Sequence, residues 1–564
     1  MDDENRFLKY WLIGGVVVVL ALAAFPGRSV YRHFKEKHCV AQARVFLAKG
    51  DYRSAWLNAR QAWLINSNNV ETCFILAKLE DAAHSPATLD WCQRLVKLSP
   101  AITNKLLLAS AGLRYQGPPY PLTSQVLDDL SASAAGVPEF HIFSAELDLS
   151  LHRMADAETQ FEAACQLAPT NRLFQLNLAV IRLGSTNTAA ADDARAKLKT
   201  FSSDTNLALP ALRSLVADRL IHNDAGGALD YSTQLLANAQ ATLDDRLQYL
   251  GILKHLQSPV LTVQLKALQA DAATNATMAA QTASWMEANG FLSETAGWLH
   301  TLPAAIQTET PVRLALVDCY LTTSNWLALR NLTSAGNWGE TDFLRLAFSS
   351  HAWTELGEPF LADGNWRSAA SEANGRLGGL AALLELANRW QLPRAQQDLL
   401  WRIIRGFPDA RWAQSTLEHL YLDAGNTAGL YQLYLTLLPR YPQNVLLKNN
   451  LATAALVLKT NVPNACQWAA EIYAQAPTNA DVVCTYAYAL HLQGRNKEGL
   501  GVLQKLKPSQ LEQPSIALYY SVLLSATGKA SEAAPYLQIA RTKGRLLPEE
   551  KQLLTDTDKI NQAK

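Results

Sequence analysis

A chain of 564 residues has the length of about four ordinary domains at ~150 residues each, yet no glycine-, serine- or proline-rich linker divides it. Fifty basic residues balance fifty acidic ones, which excludes the strongly basic field of a nucleic-acid-binding protein, and no nucleic-acid partner is expected. Hydrophobic residues make up 49% of the chain with Leu and Ala prominent, and alternating β-branched runs are missing beyond the first 25 residues, so an all-α chain is expected.

Residues 1–9 read as a short N-terminal tail. Eighteen uncharged residues follow, 10–27, centred on Leu12–Leu20. That length is close to the roughly 17–25 residues needed to cross a bilayer, and it predicts one transmembrane helix or signal-anchor. A cleaved secretory signal is the competing reading, because Ala21-Leu22-Ala23 offers small residues at a cleavage site. The acidic start Met1-Asp2-Asp3-Glu4 and Pro26 oppose it. Residues 28–35 form a basic juxtamembrane segment, and positions 28–60 hold eight basic residues against Glu36 and Asp51. This bias places the rest of a single-pass membrane protein on the cytoplasmic side. A periplasmic placement stays open, since nothing downstream forbids it.

From residue 36 onward one period governs the chain. Helix starts are predicted near 36, 70, 103, 138, 172, 206, 241, 276, 310, 343, 377, 411, 445, 480 and 514, in steps of 33 to 35 residues. Each unit is a helical pair that cannot bury its apolar face alone, so neighbours must stack. In the first copy a helix ends at Gly50-Asp51 and a second starts at Tyr52 with Ala55, Ala59 and Ala62 on one face. The polar run Asn66-Ser67-Asn68-Asn69 closes it. The segment Phe140–Asn171 repeats the scheme with Ala145, Ala157, Phe161, Ala164 and the stop Pro169-Thr170-Asn171. Three blocks follow: N-terminal repeats over 36–205, degenerate repeats over 206–376, and C-terminal repeats over 377–545, with a tail at 546–564.

The middle block is the least regular. It holds an acidic stretch from Asp271 to Asp342, and nine of the fourteen tryptophans fall between Trp285 and Trp412. These rings are expected in inter-repeat packing, and any on the inner face would anchor a ligand. At Trp353–Trp366 two registers compete. Making Gly364-Asn365 the turn would put Pro359 inside a helix, at about 3 kcal/mol or more. The preferred register takes Gly357-Glu358 as the turn, Pro359 opening the second helix and Trp366 on that helix. In the last block Pro408, Pro442 and Pro477 mark stops 34 and 35 apart, and turn glycines Gly494 and Gly528 lie 34 apart.

Small residues inside the first helix, glycine plus a polar residue at the turn, alanine early in the second helix and proline-x-asparagine at the end resemble the tetratricopeptide repeat (TPR). The chain is similar to bacterial, membrane-anchored proteins of that family. The resemblance implies a right-handed α-solenoid of about fifteen TPR-like helical hairpins after the N-terminal transmembrane helix. It also implies a concave face, lined by the first helix of each pair, that binds peptide segments of other proteins. On that face Lys448, Asn449, Tyr488 and His491 are the candidate peptide-binding residues, the last two one helical turn apart. Ordinary hydrogen bonding between repeats is the alternative for Lys448 and the asparagines.

Seven cysteines without a CxxC pair read as small buried hydrophobes, with Cys39 and Cys73 at equivalent positions. No catalytic constellation has its context intact. Gly528-Lys529 lacks the earlier glycine of a phosphate loop, and there is no HExxH, nucleophile elbow or paired metal spacing. No enzymatic activity, metal or cofactor is therefore expected. The leading function is a membrane-anchored interaction scaffold or assembly factor with membrane-associated protein partners. The alternative is a polysaccharide-export or glycan-binding protein, or a cryptic enzyme, using the Trp-rich middle.

Overall fold

The computed structural model describes residues 30–334, 336–543 and 546–562. Among these, every regular element is helical and no strand occurs. The first helix of each pair starts at 30, Val70, Ile102, Pro138, Arg172, Ala208, Leu243, Ala276, Thr310, Asp342, Leu377, Arg411, Val445, Ala480 and Pro514. All but the first lie within two residues of the predicted starts. The chain divides into two compact units between Phe291 and Leu292, and each is a succession of helical hairpins.

The repeat signature has a local physical cause at each point. In Pro169-Thr170-Asn171, Pro442-Gln443-Asn444 and Pro477-Thr478-Asn479 the proline follows the end of the second helix, and the asparagine caps the next repeat. The Asn171 side chain accepts the backbone N–H of Leu173 and Phe174, Asn444 that of Leu447 at 3.0 Å, and Asn479 those of Asp481 and Val482. Such caps satisfy donors that the helix start leaves free. Inside most hairpins the turn holds a left-handed residue. Gly50, Gly357, Gly494 and Gly528 supply it with φ of 75°, 81°, 77° and 84°.

Alanines set the close approach of paired helices. Ala55, Ala59 and Ala62 are buried on one face of Tyr52–Ile65, and three repeats on Ala157, Phe161 and Ala164 fill the same places on Met154–Leu167, packed against Ala145 of the preceding helix. The helix Pro359–Glu372 carries its proline in the first turn, where the missing N–H has no partner to lose. Five of the seven cysteines, Cys39 and Cys73 among them, are buried, and all seven are free thiols. Burial pushes the Cys92 thiol up to about 11, so it stays protonated and inert at neutral pH.

Two expectations are corrected. No helix among the described residues is long and apolar enough to cross a membrane. The longest, 30–48, carries Arg32, Lys35, Glu36, Lys37 and Arg44, and a fourteen-residue helix such as Tyr52–Ile65 spans only ~21 Å against a ~30 Å hydrocarbon core. This overturns the placement as a single-pass membrane protein, cytoplasmic or periplasmic. The stretch 10–27 that prompted it, together with the tail 1–9, lies outside the described residues. The second correction is at the other end: most of the segment 546–564 is the helix Pro548–Gln562, packed on the last hairpin.

Candidate functional site

The C-terminal unit contains a cavity of about 270 Å³. Its walls come from the first helices of four successive hairpins, Arg411–Asp423, Val445–Val457, Ala480–Leu492 and Pro514–Ala526, with the helix Thr427–Leu437 and the start of Pro548–Gln562. The terminal helix reaches back across four repeats to complete it. Thr427 donates its hydroxyl to Glu549 Oε2 at 2.5 Å, although the two are 122 residues apart in sequence.

Glu550 fixes that return. It is 8% exposed, accepts the Tyr519 hydroxyl on Oε1 at 2.5 Å, and accepts the backbone N–H of Leu547 on Oε2 at 2.9 Å. Burial pushes its carboxyl above the usual range, with Glu549 adding to the effect and the two hydrogen bonds opposing it. Across the cavity the Tyr434 hydroxyl donates to Glu418 Oε1 at 2.6 Å, and burial together with that bond drives the phenol well above its ordinary value. Tyr488 stands against Tyr519 with ring centroids 4.7 Å apart, and burial followed by the Glu550 charge pushes it up to about 12.

The four residues singled out by the repeat pattern have different fates. Asn449 and Tyr488 both line the cavity. Lys448 instead pairs with Glu471 on the second helix of its own hairpin. His491 points Nδ1 at Asn496 Oδ1, 2.7 Å away, and stacks on Tyr488 at 5.9 Å. Among the residues lining the cavity Asn449 stands apart: it is 4% exposed, yet its side-chain oxygen has no hydrogen-bond partner, a state shared elsewhere by groups such as Gln116 Oε1 and Trp366 Nε1. A buried acceptor left unmatched costs about 1–3 kcal/mol, and such groups in a native fold call for an explanation.

Glu418, Tyr434, Tyr519 and Glu550 were not legible as a group from the sequence. One signal was present: Pro548-Glu549-Glu550 has the proline and acidic first turn of a helix start.

The middle tryptophans are largely engaged with neighbours. Trp390 stacks on His351 at 4.2 Å and packs edge-on against Trp366. Trp338 is buried beneath Arg313, and Trp401 Nε1 donates to the Tyr421 hydroxyl at 2.9 Å. Trp412 is 44% exposed. Among the described residues, no group of three or more His, Cys, Asp or Glu is placed to hold a metal ion.

The fold and cavity together define an all-helical repeat protein with a partly enclosed pocket lined by apolar side chains, tyrosines and carboxylates. No protein-family model and no curated protein matches the chain. Among solved structures it is similar to "Crystal structure of APC/C hetero-tetramer Cut9-Hcn1", with 13% identity over 81% of this chain and 96% of that one, at a TM-score of 0.29. It is also similar to "Structure of Naa15/Naa10 bound to HypK-THB", with 11% identity over 92% of this chain and 70% of that one, at a TM-score of 0.24. Likeness at this level carries no conclusion about the present chain.

Proposed function

We propose that the protein is an interaction scaffold that holds a peptide segment of a partner protein in the cavity of its C-terminal unit. The observation that carries this reading is the unpartnered Asn449 oxygen, buried on a first helix and bordering a cavity lined by three further first helices. A peptide backbone or side-chain donor entering there would satisfy it. The residues that resemble the tetratricopeptide repeat support the same use of the surface. The tryptophan packing gives the glycan and enzyme readings less support, since ring faces such as those of Trp390 and Trp338 already have partners and Trp366, whose Nε1 is also unpartnered, does not line this cavity.

The test is a random-peptide display library panned on the full chain. Peptides enriched on the wild type should bind Ser515→Arg at least tenfold more weakly. Ser515 is exposed at the cavity wall, so arginine there can be accommodated by the fold while filling the space. Enriched peptides that bind the variant undiminished would remove the cavity as their site, and a failure to enrich any peptide would remove the reading.

A further inference from the structure

We infer that the occupant of this cavity is a cationic side chain, the ammonium of a lysine or the guanidinium of an arginine, presented by the bound peptide. The inference rests on the peptide-binding reading above and names its ligand chemistry. Three carboxylates border the cavity, from Glu418, Asp481 and Glu550, and among the described residues no lysine, arginine or histidine does. Lys448, the basic residue nearest in sequence to Asn449, is held away by Glu471. Negative charge gathered in a partly enclosed space without an internal counter-ion raises the local concentration of cations.

Acidity alone would not define a site, and Asn449 supplies the independent observation. Its oxygen is a buried acceptor without a donor, and lysine and arginine side chains carry three and five N–H donors and no acceptor. An anionic ligand would leave that oxygen unmatched and add to the repulsion.

Aromatic geometry agrees. The rings of Tyr434, Tyr488 and Tyr519 all line the space, and tyrosine faces attract ammonium and guanidinium groups within about 6 Å of the centroid. Size agrees too. At about 270 Å³ the cavity falls just below the roughly 300–1,000 Å³ usual for small-molecule sites, which suits one long side chain.

The experiment uses the full chain and the peptides enriched in the library, titrated by calorimetry. The expected result is that they carry a lysine or arginine, and that replacing it with acetyl-lysine or citrulline weakens binding at least tenfold. Glu418→Gln and Asp481→Asn, which keep side-chain shape and remove one charge each, should each weaken binding about tenfold. Glu471→Gln, outside the cavity, should leave it unchanged. Thermal melts of each variant show that it remains folded.

Equal binding of charged and neutralised peptides, or enrichment of acidic ones, overturns the cationic ligand while leaving the peptide reading intact. Nα-acetyl-arginine methylamide and spermidine are titrated in parallel. If either binds the wild type and not Glu418→Gln while no peptide is enriched, the cation site stands and the peptide reading falls. If neither binds and no peptide is enriched, both fall.

Discussion

Replacing Asp342 with alanine is expected to destabilise the C-terminal unit by about 3–5 kcal/mol, the range for breaking a buried ion pair by removing one partner. Arg345 donates Nε to Asp342 Oδ1 at 2.6 Å and Nη2 to Oδ2 at 2.9 Å, and the backbone N–H of Trp338 donates to Oδ1 at 2.8 Å. Both side chains are well shielded, with 10% and 16% exposure, so water cannot replace the lost carboxylate. Alanine leaves the buried Trp338 N–H and the Nε and Nη2 donors of Arg345 unmatched, with only Nη1 still bonded, to the Thr333 carbonyl at 2.8 Å. The Arg345 hydrogen bonds hold the Asp342 carboxyl below the usual range, with burial opposing them and the Trp338 N–H reinforcing them.

The pH dependence follows from that sign. A depressed folded-state value means the stabilisation is present above the unfolded value of about 3.9 and is lost as pH falls through the folded one. Denaturant titrations of wild type and variant should therefore differ most near neutrality and converge in acid. A difference under about 1 kcal/mol at pH 7, or one that does not shrink below pH 3, would contradict this account of the pair.

Glu550→Ala should cost about 2–4 kcal/mol and release the terminal helix. Removing the carboxylate strands the buried Tyr519 hydroxyl, at about 1–3 kcal/mol, and takes the acceptor from the Leu547 N–H, at about 1 kcal/mol for a lost cap. The contact of Thr427 with Glu549 weakens once the helix start is free. Hydrogen exchange across residues 548–562 should rise sharply, and peptide binding should fall because one wall of the cavity is gone. Glu549→Gln, which keeps an acceptor for Thr427, should change stability by less than about 0.5 kcal/mol. Unaltered exchange in the terminal helix of Glu550→Ala would show that other contacts hold it.

Much of the fold can be read from residue types because each repeat states its own geometry. Ala59 and Ala164 mark helix contacts, Pro169 and Pro477 mark stops, and Asn171 and Asn479 mark the next start. The middle repeats are harder to see although their backbone does the same thing. At Asn223, Gln257 and Ser324 the hairpin turn adopts φ of 51° to 57° with a non-glycine residue. Holding an L-residue there costs roughly 1–2 kcal/mol, so the tertiary packing imposes a turn that the residue does not announce.

The cavity is less legible for a different reason. Periodicity puts Lys448, Asn449, Tyr488 and His491 on the first helices, but it says nothing of what the second helix offers in return. Glu471 takes Lys448 and Asn496 takes His491, leaving Asn449 and Tyr488 at the cavity. Glu418 and Glu550 enter one space only because the terminal helix folds back to the turn before Thr427, a contact between distant parts of the chain that no local pattern encodes. The apolar stretch at 10–27 is a different case, since the membrane assignment rested on hydropathy alone and on residues outside those described, among which no helix is long and apolar enough to cross a membrane.

Hydrogen exchange of the full chain with and without its tightest library peptide is the most direct test of the cavity as the binding site. Slower exchange is predicted in Val445–Val457, Ala480–Leu492, Pro514–Ala526 and the first turns of Pro548–Gln562, with the Trp-rich helices Asp342–Glu355 and Pro359–Glu372 unchanged. Protection confined to those Trp-rich helices, or no protection in the four cavity helices at saturating peptide, would contradict it.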